Sequence, residues 1–189
     1  GVATEQFPYV EPWGVPGQLV VGWTGSTRRW GSNKGVDILR EAVADLDGVE
    51  LRIVDAGDAP VPHEDMPGWY AGLDVYACAS EHEGTPNPVL EAASTGRAIV
   101  STRVGIVPEL AATAAEGCAG VVFVDRTVVA FREEFLALRD GVDFVLMGRD
   151  NRAAIETAWT WAARVNVLQR AIDADLVAGV SARQPWGIS

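Results

Sequence analysis

Short, mostly apolar strand-like runs alternate along this chain with segments of helical periodicity, and that alternation limits the possible folds more than any other feature. The apolar runs fall at residues 19–23, 51–55, 73–77, 98–101 and 121–124, with helix-like segments between them at 36–46, 67–71, 88–94 and 108–112. Within 36–46, Ile38, Leu39, Ala42, Val43 and Leu46 share one face of a helix. Strands joined through helices pair in parallel, because each crossover returns the chain to the same end of the sheet. The pattern predicts α/β architecture: an open, doubly wound parallel sheet that binds ligands at the carboxyl ends of its strands. Beyond Thr127 the chain reads as helical and closes in a long helix over 150–174. Pro8 and Pro12 make the opening stretch an extended lead-in.

A chain of 189 residues suits one domain with or without an appendage, and a hydrophobic content of 48% supplies a substantial core. The net charge of −11 argues against general affinity for nucleic acid or an anionic membrane, so local cations must supply any affinity for phosphate. No apolar run approaches the roughly 18 residues of a membrane span, and no basic-then-apolar leader opens the chain. Cys78 and Cys118 form neither a metal pattern nor a disulfide framework, and Cys78 at the end of an apolar run reads as a buried thiol. These features together fit a cytoplasmic protein.

The segment Glu83-Gly84-Thr85-Pro86-Asn87-Pro88-Val89-Leu90-Glu91 concentrates the candidate chemistry. Asn87 is a favoured helix N-cap and Pro88 suits the first helical position, which places Glu83 on a loop and Glu91 on the first turns of a helix. The amides of a helix N-terminus make an anion site between the two carboxylates. Pro86 and Pro88 lack N–H groups, which leaves Gly84, Thr85, Asn87 and Val89 as backbone donors. A ligand carrying both hydroxyls and phosphates, such as a nucleotide-activated sugar, matches that arrangement.

Glu83 and Glu91 with the following Ala-Ala-Ser-Thr-Gly-Arg-Ala-Ile-Val-Ser-Thr resemble the signature of retaining glycosyltransferases of the GT-B fold, in the group often called family 4. Three further segments support the resemblance in the right order. They are the opening Gly1–Phe7, then Trp23-Thr24-Gly25 with Asn33-Lys34-Gly35-Val36-Asp37-Ile38-Leu39, and finally Val104-Gly105-Ile106-Val107-Pro108-Glu109-Leu110. The resemblance implies the Rossmann-like C-terminal half of such an enzyme. It divides the chain into an interdomain lead-in at 1–18, a donor-binding domain at 19–174 and a tail at 175–189. A further N-terminal domain, which holds most of the acceptor site in the family, would be a partner, and in the family the last helix of the chain crosses back to that domain. Trp159, Trp161, Leu168, Ile172 and the region containing Trp186 are candidate surfaces for that contact. Ordinary helix packing is the alternative for Trp159 and Trp161.

The same resemblance assigns roles. Glu83 faces the donor sugar and the positive charge developing at its anomeric carbon, and Glu91 accepts hydrogen bonds from the ribose hydroxyls. Glu81 offers a second register, but only Glu83 has the seven-residue gap to Glu91. Lys34 is the cation for the leaving diphosphate. The arginine that the family often carries after the glycine of its first strand is replaced here by Trp23, so Arg28 or Arg29 takes over beside Gly25. His82 flanks the motif, and backbone groups near His63 and Met66 lie where the family reads the nucleobase. Gly105 and Glu109 form the downstream segment, with Glu109 in a structural role.

No cofactor is expected and no metal. Asp45-Leu46-Asp47 and Asp173-Ala174-Asp175 match a metal-binding Asp-x-Asp only in letters, since both read as helix-end acids. The spacing of Gly22, Gly25, Gly31 and Gly35 does not form the dinucleotide fingerprint, which disfavours a nicotinamide cofactor. No Ser/His/Asp or Cys/His set stands out. The implied activity is transfer of a sugar from a nucleoside diphosphate sugar with retention, to an acceptor the sequence does not name. The competing reading is a non-catalytic nucleotide-sugar-binding module that needs a partner domain for activity.

Overall fold

The structure is a computed structural model, and it describes residues 1–113, 120–141 and 143–182. In chain order the elements are β1 (Leu19–Gly25), α1 (Thr27–Trp30), a 3-10 turn (Gly31–Lys34), α2 (Val36–Val43), β2 (Val49–Asp55), α3 (Met66–Ala71), β3 (Val75–Cys78) and α4 (Asn87–Ser94). There follow β4 (Ala98–Ser101), α5 (Val107–Thr113), β5 (Val121–Phe123), α6 (Val128–Asp140), α7 (Phe144–Ala154), a π turn (Ile155–Trp159) and α8 (Trp161–Ala182). The five strands form one parallel sheet in the order β2-β1-β3-β4-β5. The predicted doubly wound α/β sheet is therefore present. Its strand order reverses between β1 and β3, which opens a crevice at their carboxyl ends.

Burial explains why the strands were legible. Every residue of β3 and β4 is buried, as expected for parallel strands covered on both faces. On one face Leu39 and Ala42 of α2 and Phe131, Phe135 and Leu138 of α6 pack against Leu19, Val21 and Trp23. On the other, Tyr70, Val89, Leu90, Leu110, Ile155 and Trp159 form the second core. The edge strand β2 carries Glu50 and Arg52, paired with each other at 2.7 Å, and such charges discourage edge-to-edge association.

Most element ends fall within two residues of the sequence reading, and three helix ends depart from it for a visible reason. The helix expected over 36–46 stops at Val43, because the chain turns at Asp45 with φ of 59°. Asn87 is the first residue of α4, not its cap; Pro86 takes the cap position and no side chain caps the helix. The helix expected over 150–174 is two helices. Val2 N–H donates to Trp159 O at 2.9 Å, taking the carbonyl that a continuing helix would offer to Ala163. Ala163 N–H turns instead to the Thr160 hydroxyl at 3.1 Å, which makes Thr160 the cap of a new helix that runs on to Ala182. Asp173 consequently lies inside α8 and not at a helix end, where it accepts from Gln169 at 2.8 Å.

The two neighbouring tryptophans have opposite fates. Trp159 is buried and its Nε1–H donates to Thr113 Oγ1 at 3.1 Å, so it is a core residue. Trp161 is 59% exposed and heads a stripe with Val165, Leu168 and Ile172, spaced to fall on one face of α8. Trp186 lies outside the described residues. Among those described, no helix is long and apolar enough to cross a membrane.

The lead-in is tied down by buried polar groups. Arg97 is fully buried at the start of the β4 segment, and its guanidinium donates to the carbonyls of Ala71, Leu73, Val10 and Thr95. Burial lowers its pKa to about 10, with Asp74 nearby opposing the shift. Arg152 reaches Phe7 O at 3.1 Å and Ser94 O at 2.8 Å, so the opening residues are fastened to α4 and α7.

Candidate functional site

The crevice is built from the loops that follow β1 and β3. After Gly25, Ser26 caps α1 by accepting from Arg29 N–H at 3.4 Å. Asp55, at the end of β2, receives the Thr27 N–H at 3.2 Å, the Gly57 N–H at 2.9 Å and the Thr27 hydroxyl. These donors hold the Asp55 carboxyl below its ordinary range, the Thr27 hydroxyl first. Its oxygens are thereby committed to shaping the loop.

The segment from Ala79 to Gly84 is clasped from two sides. Glu81 N–H donates to Asn33 O at 2.8 Å, and Asn33 Nδ2 donates to His82 O at 3.2 Å. Gly35, at φ of 65°, comes so close that a Cβ there would lie 2.2 Å from Ala79 O. Gly105, at φ of 49°, does the same against Gly84 O, again at 2.2 Å, while Ile106 N–H donates to that oxygen at 3.1 Å. Only glycine fits either position, since a side chain would meet both the wrong dihedral and a backbone atom. Arg126, from the loop after β5, completes the clasp by donating to Ala79 O at 2.9 Å and Ser32 O at 2.6 Å.

Held in this way, Glu83 meets Lys34. Lys34 Nζ lies 2.5 Å from Glu83 Oε1, and Ser80 Oγ donates to the same oxygen at 2.7 Å. The two side chains are 19% and 13% exposed, so the pair is shielded yet reachable. With Asn33, His82 and Gly84 they line a cavity of about 480 Å³. A larger cavity of about 660 Å³ opens at the other end of the sheet, beside Gly14 and Phe144, but its charged residues are engaged: Arg139 pairs with Asp140, and Asp143 accepts the Leu146 N–H at 2.9 Å. The cleft at the carboxyl ends brings a cation and a carboxylate together.

Glu91 stands apart from the Lys34–Glu83 pair. It sits on the second turn of α4, half-buried, and accepts the Tyr70 hydroxyl on Oε2 at 2.8 Å. Burial pushes its carboxyl above the ordinary range, while the Tyr70 bond and the charge of His63 pull the other way. The His63 ring packs edge-on to Phe7 at 5.8 Å.

The backbone donors divide. Gly84, Thr85 and Asn87 are exposed around the start of α4. Val89 is not available to a ligand, because it is buried and its N–H closes the first turn onto Pro86 O at 2.9 Å. The Met66 N–H is likewise engaged, with His63 O at 3.3 Å, and its side chain is buried. Gly25 ends β1 with its carbonyl taken by Ala56 N–H at 2.8 Å, and Arg28 and Arg29 are exposed on α1 beyond it. Trp23, in contrast, is buried in β1. Glu109 is exposed on α5.

Three contributors escaped the sequence reading. Ser80 precedes Glu83 by three residues and was visible in principle as a nearby hydroxyl. Tyr70 and Arg126 are brought in by the fold from 21 and 47 residues away. Cys78 is buried, and burial raises its thiol above the ordinary range; Cys118 lies outside the described residues. Among the described residues no three of His, Cys, Asp and Glu converge as metal ligands would.

Comparison with known proteins bears on this geometry. Residues 60–141 match the family model described as Glycosyl transferases group 1. No curated protein matches the chain. Among solved structures, sucrose-phosphate synthase from Thermosynechococcus elongatus superposes with a TM-score of 0.70 at 18% identity, over 93% of this chain and 52% of that one. The C-terminal domain of a glycosyl transferase group 1 family protein from Francisella tularensis gives 0.63 at 19% identity, over 85% of this chain and 100% of that one. Anabaena HepE, solved in complex with UDP and glucose, gives 0.58 at 16% identity, over 82% and 50%. This chain thus spans about half the length of the synthase and of HepE. Its five-stranded parallel sheet has the fold of a GT-B glycosyltransferase C-terminal domain, and residues 60–141 carry the group 1 glycosyltransferase match.

Proposed function

We propose that this chain is the donor-binding half of a retaining glycosyltransferase that takes a sugar from a nucleoside diphosphate sugar without a metal ion. The observation that carries the reading is the shielded Lys34–Glu83 pair at 2.5 Å, set where the strand order reverses and beside the start of α4. A solved structure of the same fold, Anabaena HepE, is a complex with UDP and glucose.

Each residue then has a task. Lys34 carries three N–H donors, so it can hold Glu83 and a phosphate oxygen together. As the glycosidic bond breaks, negative charge grows on the diphosphate and positive charge at the anomeric carbon. Lys34 stabilises the first and Glu83 the second, in a site already oriented for both. Gly84, Thr85 and Asn87 add amides toward the phosphates, and Arg29 a second cation. Glu91 receives the ribose hydroxyls. The leaving phosphate departs on the face the acceptor attacks and takes its proton, so no protein nucleophile takes part. Binding of the remote nucleotide holds the sugar in place for that step.

A second reading is favoured by one observation, the bare apolar stripe of α8. Such a surface fits a chain that binds the nucleotide sugar but turns it over only with a partner domain supplying the acceptor.

Thermal stability of the chain with UDP, GDP, ADP and their sugar conjugates, in EDTA, tests the proposal. A ligand at about 100 times its dissociation constant adds roughly 2.7 kcal/mol. The expected result is a rise with one nucleotide, indifferent to EDTA and lost in Glu91→Ala. A rise that requires divalent metal would overturn the metal-free mechanism.

A further inference from the structure

We propose that Tyr70 is the positioning residue for Glu91, fixing which carboxylate oxygen faces the nucleotide ribose and keeping that carboxylate an acceptor. The inference rests on the donor-site reading above and adds to it a residue 21 positions from Glu91 on a different helix.

A half-buried glutamate has two problems as a ribose ligand. Its long side chain has several rotamers, and burial favours the protonated form, which would place a donor where an acceptor is needed. Tyr70 answers both. Its hydroxyl donates to Oε2 at 2.8 Å, which pins the carboxylate plane and leaves Oε1 as the oxygen without a hydrogen bond among the described residues. A hydrogen bond donated to the ionised form favours that form.

Tyr70 is itself immobile. It has no exposed surface, and its ring meets Trp69 edge-on at 5.1 Å, and Phe7 and Tyr76 each at 6.0 Å. Burial pushes its phenol well above the ordinary range, so it remains a donor at any working pH. Tyr76 continues the stack to the other wall of the crevice. Its hydroxyl donates to Thr24 O at 3.2 Å, next to Gly25 at the end of β1. The two walls of the cleft, the end of β1 and the start of α4, are therefore joined through Tyr76, Tyr70 and Glu91. The titratable groups acting on Glu91 are Tyr70 from α3 and His63 from the loop before α3, and Glu91 in turn raises the phenol of Tyr76 from β3.

Tyr70→Phe removes the hydroxyl and keeps the ring, so the core stays filled. Two readouts decide the matter, both made on the whole chain. In the first, the Glu91 carboxyl carbon is followed by NMR through a pH titration, without any ligand. Loss of the Tyr70 donor leaves burial less opposed, so the Glu91 midpoint is expected to move to higher pH. In the second, dissociation constants for UDP, GDP and ADP are measured against pH for wild type, Tyr70→Phe, Glu91→Gln and the double variant. The expected result is binding about tenfold weaker in Tyr70→Phe for the nucleotide that wild type prefers, the usual size of a lost bond to a charged group. Its acid limb should shift upward, and the double variant should bind no more weakly than Glu91→Gln alone. An unmoved Glu91 titration overturns the proposal whether or not a nucleotide binds. So does a Tyr70→Phe loss that is equal at every pH and adds in full to Glu91→Gln, which marks a packing role only. If Glu91→Gln binds as tightly as wild type, the reading of Glu91 as ribose ligand fails instead.

Discussion

Replacing Gly105 by alanine tests whether the motif loop is clamped by backbone contact. Gly105 has φ of 49°, and an added Cβ would sit 2.2 Å from Gly84 O, 3.0 Å from Gly84 C and 3.1 Å from Glu83 O. Real Cβ atoms stay beyond 3.0 Å, so the loop carrying Glu83 and Gly84 must retreat by about 0.8 Å, the difference between those two values. Left-handed backbone costs an alanine roughly 1–2 kcal/mol, and forcing extra volume into a packed site costs typically 1–3 kcal/mol. The sum is about 2–5 kcal/mol, which for a domain of this size lowers Tm by roughly 4–20 °C. Gly17→Ala is the control, because Gly17 has φ of 75° but no atom within 4 Å of the added Cβ. It should cost the backbone term alone, roughly 1–2 kcal/mol. Differential scanning calorimetry on the two variants separates the contributions, and nucleotide affinity should fall in Gly105→Ala and hold in Gly17→Ala. Equal melting of the two variants would refute the clamp.

Other consequences follow from particular contacts. Arg97→Met leaves the carbonyls of Ala71, Leu73, Val10 and Thr95 without their buried donor and should lower stability by about 3–5 kcal/mol in urea titrations. Trp159→Ala should cost about 3–5 kcal/mol, whereas Trp161→Ala should stay within about 0.5 kcal/mol, both read from urea titrations. Glu91 predicts a pH effect of definite sign. Its folded carboxyl titrates above the ordinary value of 4.5, so in the window above 4.5 the folded chain keeps a proton that the unfolded chain has lost. Stability from this group therefore falls as pH rises through the window, and the urea midpoint of Glu91→Gln should fall less over the same range.

The sheet was readable because β3 and β4 are buried on both faces and so appear as unbroken apolar runs. The lysine and first motif glutamate were legible because glycines and turns mark their loops, although their sequence separation of 49 hides that they touch. Helix ends were less so. Pro86 displaces Asn87 from the cap, and the break at Thr160 depends on Val2 arriving from the far end of the chain, which no local window contains. Trp159 and Trp161 look alike in sequence, and only the turn between α7 and α8 sends one inward and the other out. Tyr70 falls in the short helix expected over 67–71, but its burial and the destination of its hydroxyl are tertiary facts. The donor amide assigned to Val89 is consumed by the first turn of α4, and among the backbone groups near Met66 that were assigned to the nucleobase, the Met66 N–H is taken by His63 O in the turn before α3.

The most direct test of the central claim is an amide NMR map of the chain titrated with UDP, GDP and ADP. The account predicts that the nucleotide that binds shifts Gly25, Lys34, Gly84, Asn87 and Glu91 together, on both walls of the crevice between β1 and β3. Shifts confined to the opposite end of the sheet, around Gly14 and Phe144, would contradict it.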